Sequence, residues 1–382
     1  MLENFLENKP LYYDEIDYTR MPRIYAKIKN RVKIPKIIHL VGTNGKGTTG
    51  RFLAAALYSL GFSTGHYTSP HILEFNERIW CNGKNIATPE LDKAHKELLQ
   101  LLSLEDADAL SYFEYTTLIA LLCYQECDYV VLEAGLGGEY DATAVFDNIL
   151  TLVTPIDFDH EAFLGTSIKE IATTKLNAVN SAAILALQPH KEVYIVAAEI
   201  AAKKSLKIVS FSEYLNAADE KKITHITKEL GLAQYLQDNL KLAIAALKLL
   251  GIDYEAENFF HAKLFGRLSK LNENIYLDVG HNTLAASSIA KALQGKKYRL
   301  IYNSYRDKNY KEILRILKPI VEEVEIIAVD EERIEESSLL KGTLSDLGMK
   351  HSDFSFIDPT QEYLVFGSFS VAETFLRSYY HG

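Results

Sequence analysis

Short apolar runs alternate with amphipathic segments along almost all of the 382 residues. Runs at 37–41, 129–133, 149–153, 183–187, 193–196, 207–210, 275–279, 298–302, 324–329 and 363–367 predict strands. Apolar residues three and four apart predict helices at 48–60, 88–102, 112–126, 167–180, 197–204, 232–250, 283–294, 309–319, 337–347 and 371–380. Such alternation predicts an α/β fold, with helices layered on mainly parallel sheets. No Pro/Gly/Ser-rich linker marks a boundary. The stretch from 275 onward reads as a fresh βαβαβαβ set, so the expected division is 1–270 and a smaller 271–382.

Chemistry enters where the first strand ends. Lys36-Ile37-Ile38-His39-Leu40-Val41 runs into Gly42-Thr43-Asn44-Gly45-Lys46-Gly47-Thr48, and a helical pattern follows with Phe52, Leu53, Ala56, Leu57 and Leu60 on one face. A strand, a glycine-rich turn and a helix in that order aim backbone N–H groups and a helix N-terminus at one point, which suits phosphate. Lys46 would reach the terminal phosphates, and Thr48 or Thr49 would assist Mg²⁺. ATP or GTP is the expected ligand, although Gly47 stands where Ser or Thr usually follows the lysine.

A second apolar strand, Tyr129-Val130-Val131-Leu132, ends in Glu133 and then Ala134-Gly135-Leu136-Gly137-Gly138. A carboxylate at the C-terminal end of a parallel strand faces the ligand crevice and offers the oxygen that Mg²⁺ prefers. A third strand exits through Thr154-Pro155-Ile156-Asp157-Phe158-Asp159-His160, and Lys175 lies fifteen positions further on. Taken singly, His160 and Lys175 read as structural or solvated side chains.

Charge and composition act by exclusion. With 41 Lys and Arg against 51 Asp and Glu, the net charge of −10 argues against a broad nucleic-acid surface. The start, Met1-Leu2-Glu3-Asn4-Phe5-Leu6-Glu7, has no basic n-region, and no run approaches the length of a membrane helix. The expectation is a cytoplasmic protein with no membrane partner. Cys81, Cys123 and Cys127 read as reduced thiols, the last two placed on one helix and packed in the core.

The ordered set carries more than its members. GTNGKGT is followed by Tyr67-Thr68-Ser69-Pro70-His71, then by LEAGLGG with Asp141-Ala142-Thr143, Asp159-His160, Lys175, Gly266-Arg267 and Asp278-Val279-Gly280-His281-Asn282. This order resembles the Mur ligase superfamily and, within it, the folylpolyglutamate synthase/dihydrofolate synthase family, over nearly the whole chain. The resemblance implies two domains: a P-loop ATPase-like central domain and a smaller Rossmann-like C-terminal domain. It also implies ATP-dependent amide-bond formation between L-glutamate and dihydropteroate or reduced folates, through an acyl phosphate, in a monomer. Thr43, Asn44, Gly45, Lys46, Gly47, Thr48, Asn239, Arg267, Asp278 and His281 would hold nucleotide, with Asp278 on the ribose. Ser69 and Glu133 would bind one Mg²⁺. His160 and a carbamylated Lys175 would bind a second. Lys46, His160 and Lys175 would serve catalysis. Phe113, Glu114, Tyr115, Asp141 and Ala142 would lie on the pterin side, and the segment from Tyr12 to Met21 resembles the bifunctional type.

The chain departs from the family at Glu139-Tyr140 (usually Arg-Leu), Ala144 (usually Asn), Thr174 (usually Glu), Thr283 (usually Pro) and Ser370 (often His). A ligase for a UDP-linked cell-wall precursor is the alternative enzyme. It would carry a UDP-binding domain ahead of the loop, whereas only 41 residues precede Gly42. A non-catalytic nucleotide-binding module would lack the Ser69, Glu133, His160 and Lys175 set.

Overall fold

The computed structural model describes residues 1–9 and 17–381; Tyr12, Tyr13, Asp14, Glu15 and Ile16 of the early segment lie outside the described residues. The chain divides into two compact units, Met1–Leu232 with Leu236–Lys263, and Ala233–Tyr235 with Leu264–Gly382. Arg267 and the strand Ser269–Lys270 therefore fall in the second unit, because that strand pairs antiparallel with the next one, Ile275–Leu277, and extends its sheet.

Among the described residues the first unit holds eight strands: β1 Lys36–Val41, β2 Thr64–Tyr67, β3 Ile79–Cys81, β4 Lys84–Asn85, β5 Tyr129–Glu133, β6 Leu150–Val153, β7 Ala183–Leu185 and β8 Ile208–Ser210. Their order in the sheet is β4-β3-β2-β5-β1-β6-β7-β8. All neighbours run parallel except in the β2-β3-β4 hairpin edge. β1 sits where the winding reverses, with β5 on one side and β6 on the other, pairing Leu40 with Glu133 and Val41 with Val153. In open parallel sheets that reversal leaves a crevice beyond the strand C-termini. The exits of β2, β5, β1 and β6 stand side by side there.

The central strands read as unbroken apolar runs because both faces are covered. Residues Ile37 through Val41 are all buried. The helix Lys46–Ser59 is buried from Gly47 to Leu57, and its Ala54-Ala55-Ala56 run allows close packing on the sheet.

Two expectations need correction. The strand predicted at 193–196 is part of the helix Lys191–Lys204: Val193, Val196, Ala197 and Ile200 face inward at helical spacing while Tyr194 and Ile195 are exposed. The helix expected to carry both Cys123 and Cys127 ends at Cys123, so Cys127 lies beyond it, its Sγ 3.9 Å from that of Cys81. Short β2, the hairpin β3-β4 and the helix Ala217–Leu230 are additional elements.

The second unit carries β9 Ser269–Lys270, β10 Ile275–Leu277, β11 Tyr298–Tyr302, β12 Val321–Ile326, β13 Lys350–Asp353 and β14 Tyr363–Phe366, ordered β13-β12-β11-β14-β10-β9. It is parallel apart from β9 and has its own core around Leu300, Leu314, Val324 and Phe366.

Candidate phosphate-binding and ligation site

The loop after β1 is shaped by two glycines. Gly42 has φ +141°, and a Cβ there would run into the Thr154 hydroxyl and backbone. Gly45 has φ +89° and lies against the Asn239 carboxamide, again without room for a side chain. Thr43 and Asn44 donate their N–H groups to Pro155 O at 2.9 and 3.3 Å, and the Thr43 hydroxyl pairs with the Asp157 backbone at 3.0 Å. The exit of β6 thus braces the loop. The first N–H groups of the helix that opens at Lys46 have no acceptor within that helix, as at any helix start, an arrangement suited to an anion.

Lys46 folds back over the loop, its Nζ 3.1 Å from Gly42 O and 3.9 Å from Glu133 Oε1. Glu133, at the end of β5, accepts the Thr68 hydroxyl and, at 3.4 Å, the Ser69 N–H. Glu133 and Ser69 are thereby brought together. Thr68, which the sequence marks only as a member of the Tyr67-Thr68-Ser69-Pro70-His71 segment, joins them from the exit of β2. The Thr48 hydroxyl is buried with no hydrogen-bond partner among the described residues.

Lys175 is the least expected geometry. Its helix, Ile168–Leu176, starts at a Ser167 and Glu170 capping box and delivers the side chain inward, 1% exposed. Nζ donates to Gly42 O at 3.1 Å, Leu136 O at 2.8 Å and Gly137 O at 3.4 Å. Burial, and secondly the nearby Lys46 charge, push its pKa down to about 7, with Asp159 and Asp141 opposing. Lys46 and Lys175 therefore share one acceptor, the carbonyl of Gly42. His160 caps a short helix in the left-handed conformation, φ 52°, with Nε2 3.9 Å from Asp159 Oδ2. Among the described residues no group of three or more His, Cys, Asp and Glu side chains is arranged to hold a metal ion.

The other expected residues have definite places. Asn239 accepts from the Thr49 hydroxyl at 3.4 Å beside the loop. Phe113 is half-buried and its ring lies over Gly135. Glu114 caps Ser111 N–H and pairs with Arg20 at 2.8 Å. Tyr115 is fully buried with its hydroxyl 2.8 Å from His95, so the structure gives it to the core. Asp141 accepts from Gly137 N–H, Thr143 N–H and the Thr143 hydroxyl, and Ala142 is buried in the turn that follows. In the second unit, Asp278 accepts Gly280 N–H at 2.8 Å, Leu268 N–H at 2.7 Å and the Tyr235 hydroxyl at 3.1 Å. Burial pushes its carboxyl up despite Arg267. Arg267 lies 5.4 Å from the centre of the Phe369 ring, and His281 Nδ1 is 3.3 Å from Val279 O.

A doubly flanked parallel sheet, a phosphate-cradling loop at its reversal and a carboxylate on the adjoining strand end define an α/β enzyme that uses a nucleoside triphosphate. No family model matches the chain. It is 38% identical to Helicobacter pylori folylpolyglutamate synthetase over 100% of this chain and 98% of that one, with a TM-score of 0.82. It is 30% identical to the Escherichia coli K12 dihydrofolate synthase/folylpolyglutamate synthase over 84% of this chain and 79% of that protein. A structure of E. coli FolC in complex with DHPP and ADP is 25% identical, covers 99% and 96% of the two chains and gives a TM-score of 0.85. The chain belongs to the dihydrofolate synthase/folylpolyglutamate synthase family and is an ATP-dependent ligase for glutamate. No helix among the described residues is long and apolar enough to cross a membrane.

Proposed function

We propose that this ligase joins the amine of L-glutamate to the carboxylate of dihydropteroate and of reduced folates, with ATP activating that carboxylate as an acyl phosphate. The observation that carries the reading is the pair of lysines on one carbonyl. Lys46 and Lys175 converge on Gly42 O, so a lysine held towards its neutral form by burial and by the Lys46 charge lies directly beside the lysine that would meet the phosphates.

A free carboxylate is a poor acyl donor because its leaving group would be oxide. Transfer of the γ-phosphoryl group breaks the bond between that phosphorus and the bridging oxygen of ADP and forms one to the acid. The glutamate amine then attacks the acyl carbon, the C–O bond to phosphate breaks, and the amine gives up a proton. Lys46 would offset charge on the transferring oxygens, and the loop N–H groups would hold the phosphates. Asn239, Arg267, Asp278 and His281 would contact the nucleotide, and Phe113 and Asp141 would line the pterin side.

The oxygen donors around Glu133 suit a divalent cation. Thr48, with its unpartnered buried hydroxyl, Ser69 and Glu133 would hold one Mg²⁺; His160 and Lys175 would hold another. Bound Mg²⁺ supplies charge neutralisation for phosphate oxygens. Lys175 becomes an anionic ligand only by reacting as the neutral amine with CO₂, and a pKa near 7 makes that form available. A carbamate keeps a single N–H, so carbamylation must release at least two of the three carbonyls now bonded to Nζ. Enzyme equilibrated with ¹³C-bicarbonate and ATP should show one carbamate carbon resonance that Lys175→Arg abolishes; a resonance surviving in that variant excludes this lysine.

The deciding assay is ADP release with glutamate and, in turn, dihydropteroate, tetrahydrofolate and a UDP-linked muramyl precursor. Turnover with both pterin acids and none with the muramyl compound is expected. The opposite pattern overturns the reading.

A further inference from the structure

Four of the five buried residues from Ile37 to Val41 are aliphatic, and the fifth is His39, 1% exposed. A further aliphatic residue would fit such a strand without cost, whereas a buried imidazole must be hydrogen-bonded to be tolerated. Its Nε2 lies 2.8 Å from the Thr143 hydroxyl. That hydroxyl spends its one hydrogen on Asp141 Oδ1, at 2.7 Å, so the imidazole must be the donor. Nε2 then carries the proton, and Nδ1 is left as a bare lone pair, buried with no partner among the described residues. Burial holds the ring neutral by pushing its pKa down to about 4.

The chain of contacts continues. The second oxygen of Asp141 accepts Gly137 N–H at 3.2 Å. The Leu136 and Gly137 carbonyls turn onto Lys175 Nζ, and that nitrogen also donates to Gly42 O at the end of β1, the strand that carries His39. The contacts close into a ring that starts on β1 and finishes at the first residue beyond it. The pairs of β1 with β5 and β6 fix only the backbone; this ring fixes the lysine against the phosphate loop.

We propose that His39 and Thr143 are positioning residues for ligation, holding Asp141 so that the Leu136-Gly137 turn seats the free Lys175 amine beside Gly42, the place where CO₂ then meets it. The proposal rests on the ligase reading for its effect on turnover, but the ring itself is testable without turnover. His39→Leu and Thr143→Val each cut the ring. His39→Gln keeps an N–H near the position of Nε2, and Thr143→Ser keeps the hydroxyl.

Two measurements decide it, with folding of each variant checked by circular dichroism. The first is acetylation of Lys175 by an anhydride in bicarbonate-free buffer, read by peptide mass spectrometry. His39→Leu and Thr143→Val should label several-fold faster than wild type, while the Gln and Ser variants stay close to it. The second is steady-state ADP release. The ring-cutting variants should lose roughly ten- to hundredfold in kcat with little change in KM for ATP, and Thr143→Ser should keep most of the rate. Wild-type labelling and wild-type kcat in Thr143→Val overturn the proposal. Equal damage in Thr143→Val and Thr143→Ser also overturns it, since the hydroxyl would then not be what matters. If wild type releases no ADP with any pterin acid while the labelling pattern holds, the ligase reading fails and the ring stands.

Discussion

At the residue scale the two lysines divide the work by environment. Lys46 is near the surface of the loop, its side chain 10% exposed, and its charge is free to follow phosphate; Lys175 is sealed beneath it. Lys46→Ala should lower kcat by several orders of magnitude, as loss of a preorganised charge on a transferring phosphoryl group does; ADP release at saturating substrates measures it. Lys175 leaves a mark on stability as well. Its pKa falls from 10.5 to about 7 on folding, so between those values the unfolded chain binds more protons than the native one. Stability from this group is complete above the unfolded value, and it is lost as pH falls through the window towards about 7. Urea titrations from pH 8 to 10 should show unfolding free energy rising with pH, with this group adding up to ~1.4 kcal/mol per pH unit. Lys175→Met should flatten that rise. Equal slopes in the two proteins would mean that the buried amine titrates normally.

At the element scale the site is a set of strand exits, and that is also what decides how much of it was legible. β1, β5 and β6 are apolar runs ending in glycine, a carboxylate or proline, and each announces both its register and its chemistry. β2 is Thr64-Gly65-His66-Tyr67, buried at every position but with a single large apolar residue, so no pattern marks it. Thr68 was legible only as a member of the Tyr67-Thr68-Ser69-Pro70-His71 segment, and its contact with Glu133 was not. The run at 193–196 misled for the opposite reason, since two of its four residues face solvent on a helix. Lys175 was legible only through the ordered motifs, because one lysine on a helix carries no sign of burial. His39 and Thr143 each belong to a legible motif, but nothing in the spacing of 39 and 143 says that they touch. Gly42 gives the element its test. Its φ of +141° and its contact with Thr154 leave no space for a methyl group, so Gly42→Ala must shift the β1 exit away from β6. A loss of about 1–3 kcal/mol in stability is expected, together with a much weaker ADP affinity by calorimetric titration. A variant that binds ADP as wild type would show that the loop tolerates the shift.

At the scale of the whole molecule the chain holds two separate sheets and separate cores. Buried clusters around Leu118 and Ile171 lie in the first unit, and one around Leu314 lies in the second. Cores that share few residues need not melt together, and a chain built this way departs from two-state unfolding. Scanning calorimetry of the intact protein should therefore show two overlapping transitions. Phosphate chemistry tells which is which. The loop Gly42 to Thr48 belongs to the first unit, and a ligand that binds only the folded form stabilises it by about 2.7 kcal/mol at a hundredfold excess over Kd. ADP with Mg²⁺ should raise the transition of the first unit, which holds the phosphates, by several degrees and by more than that of the second. Lys46→Ala removes the charge that the phosphates meet but leaves the packing of the helix Lys46–Ser59 intact, so its apo thermogram should match that of wild type while the ADP-induced rise disappears. A rise of equal size in that variant would place nucleotide affinity elsewhere than the loop, and with it the whole reading of β1 as the strand that organises the site.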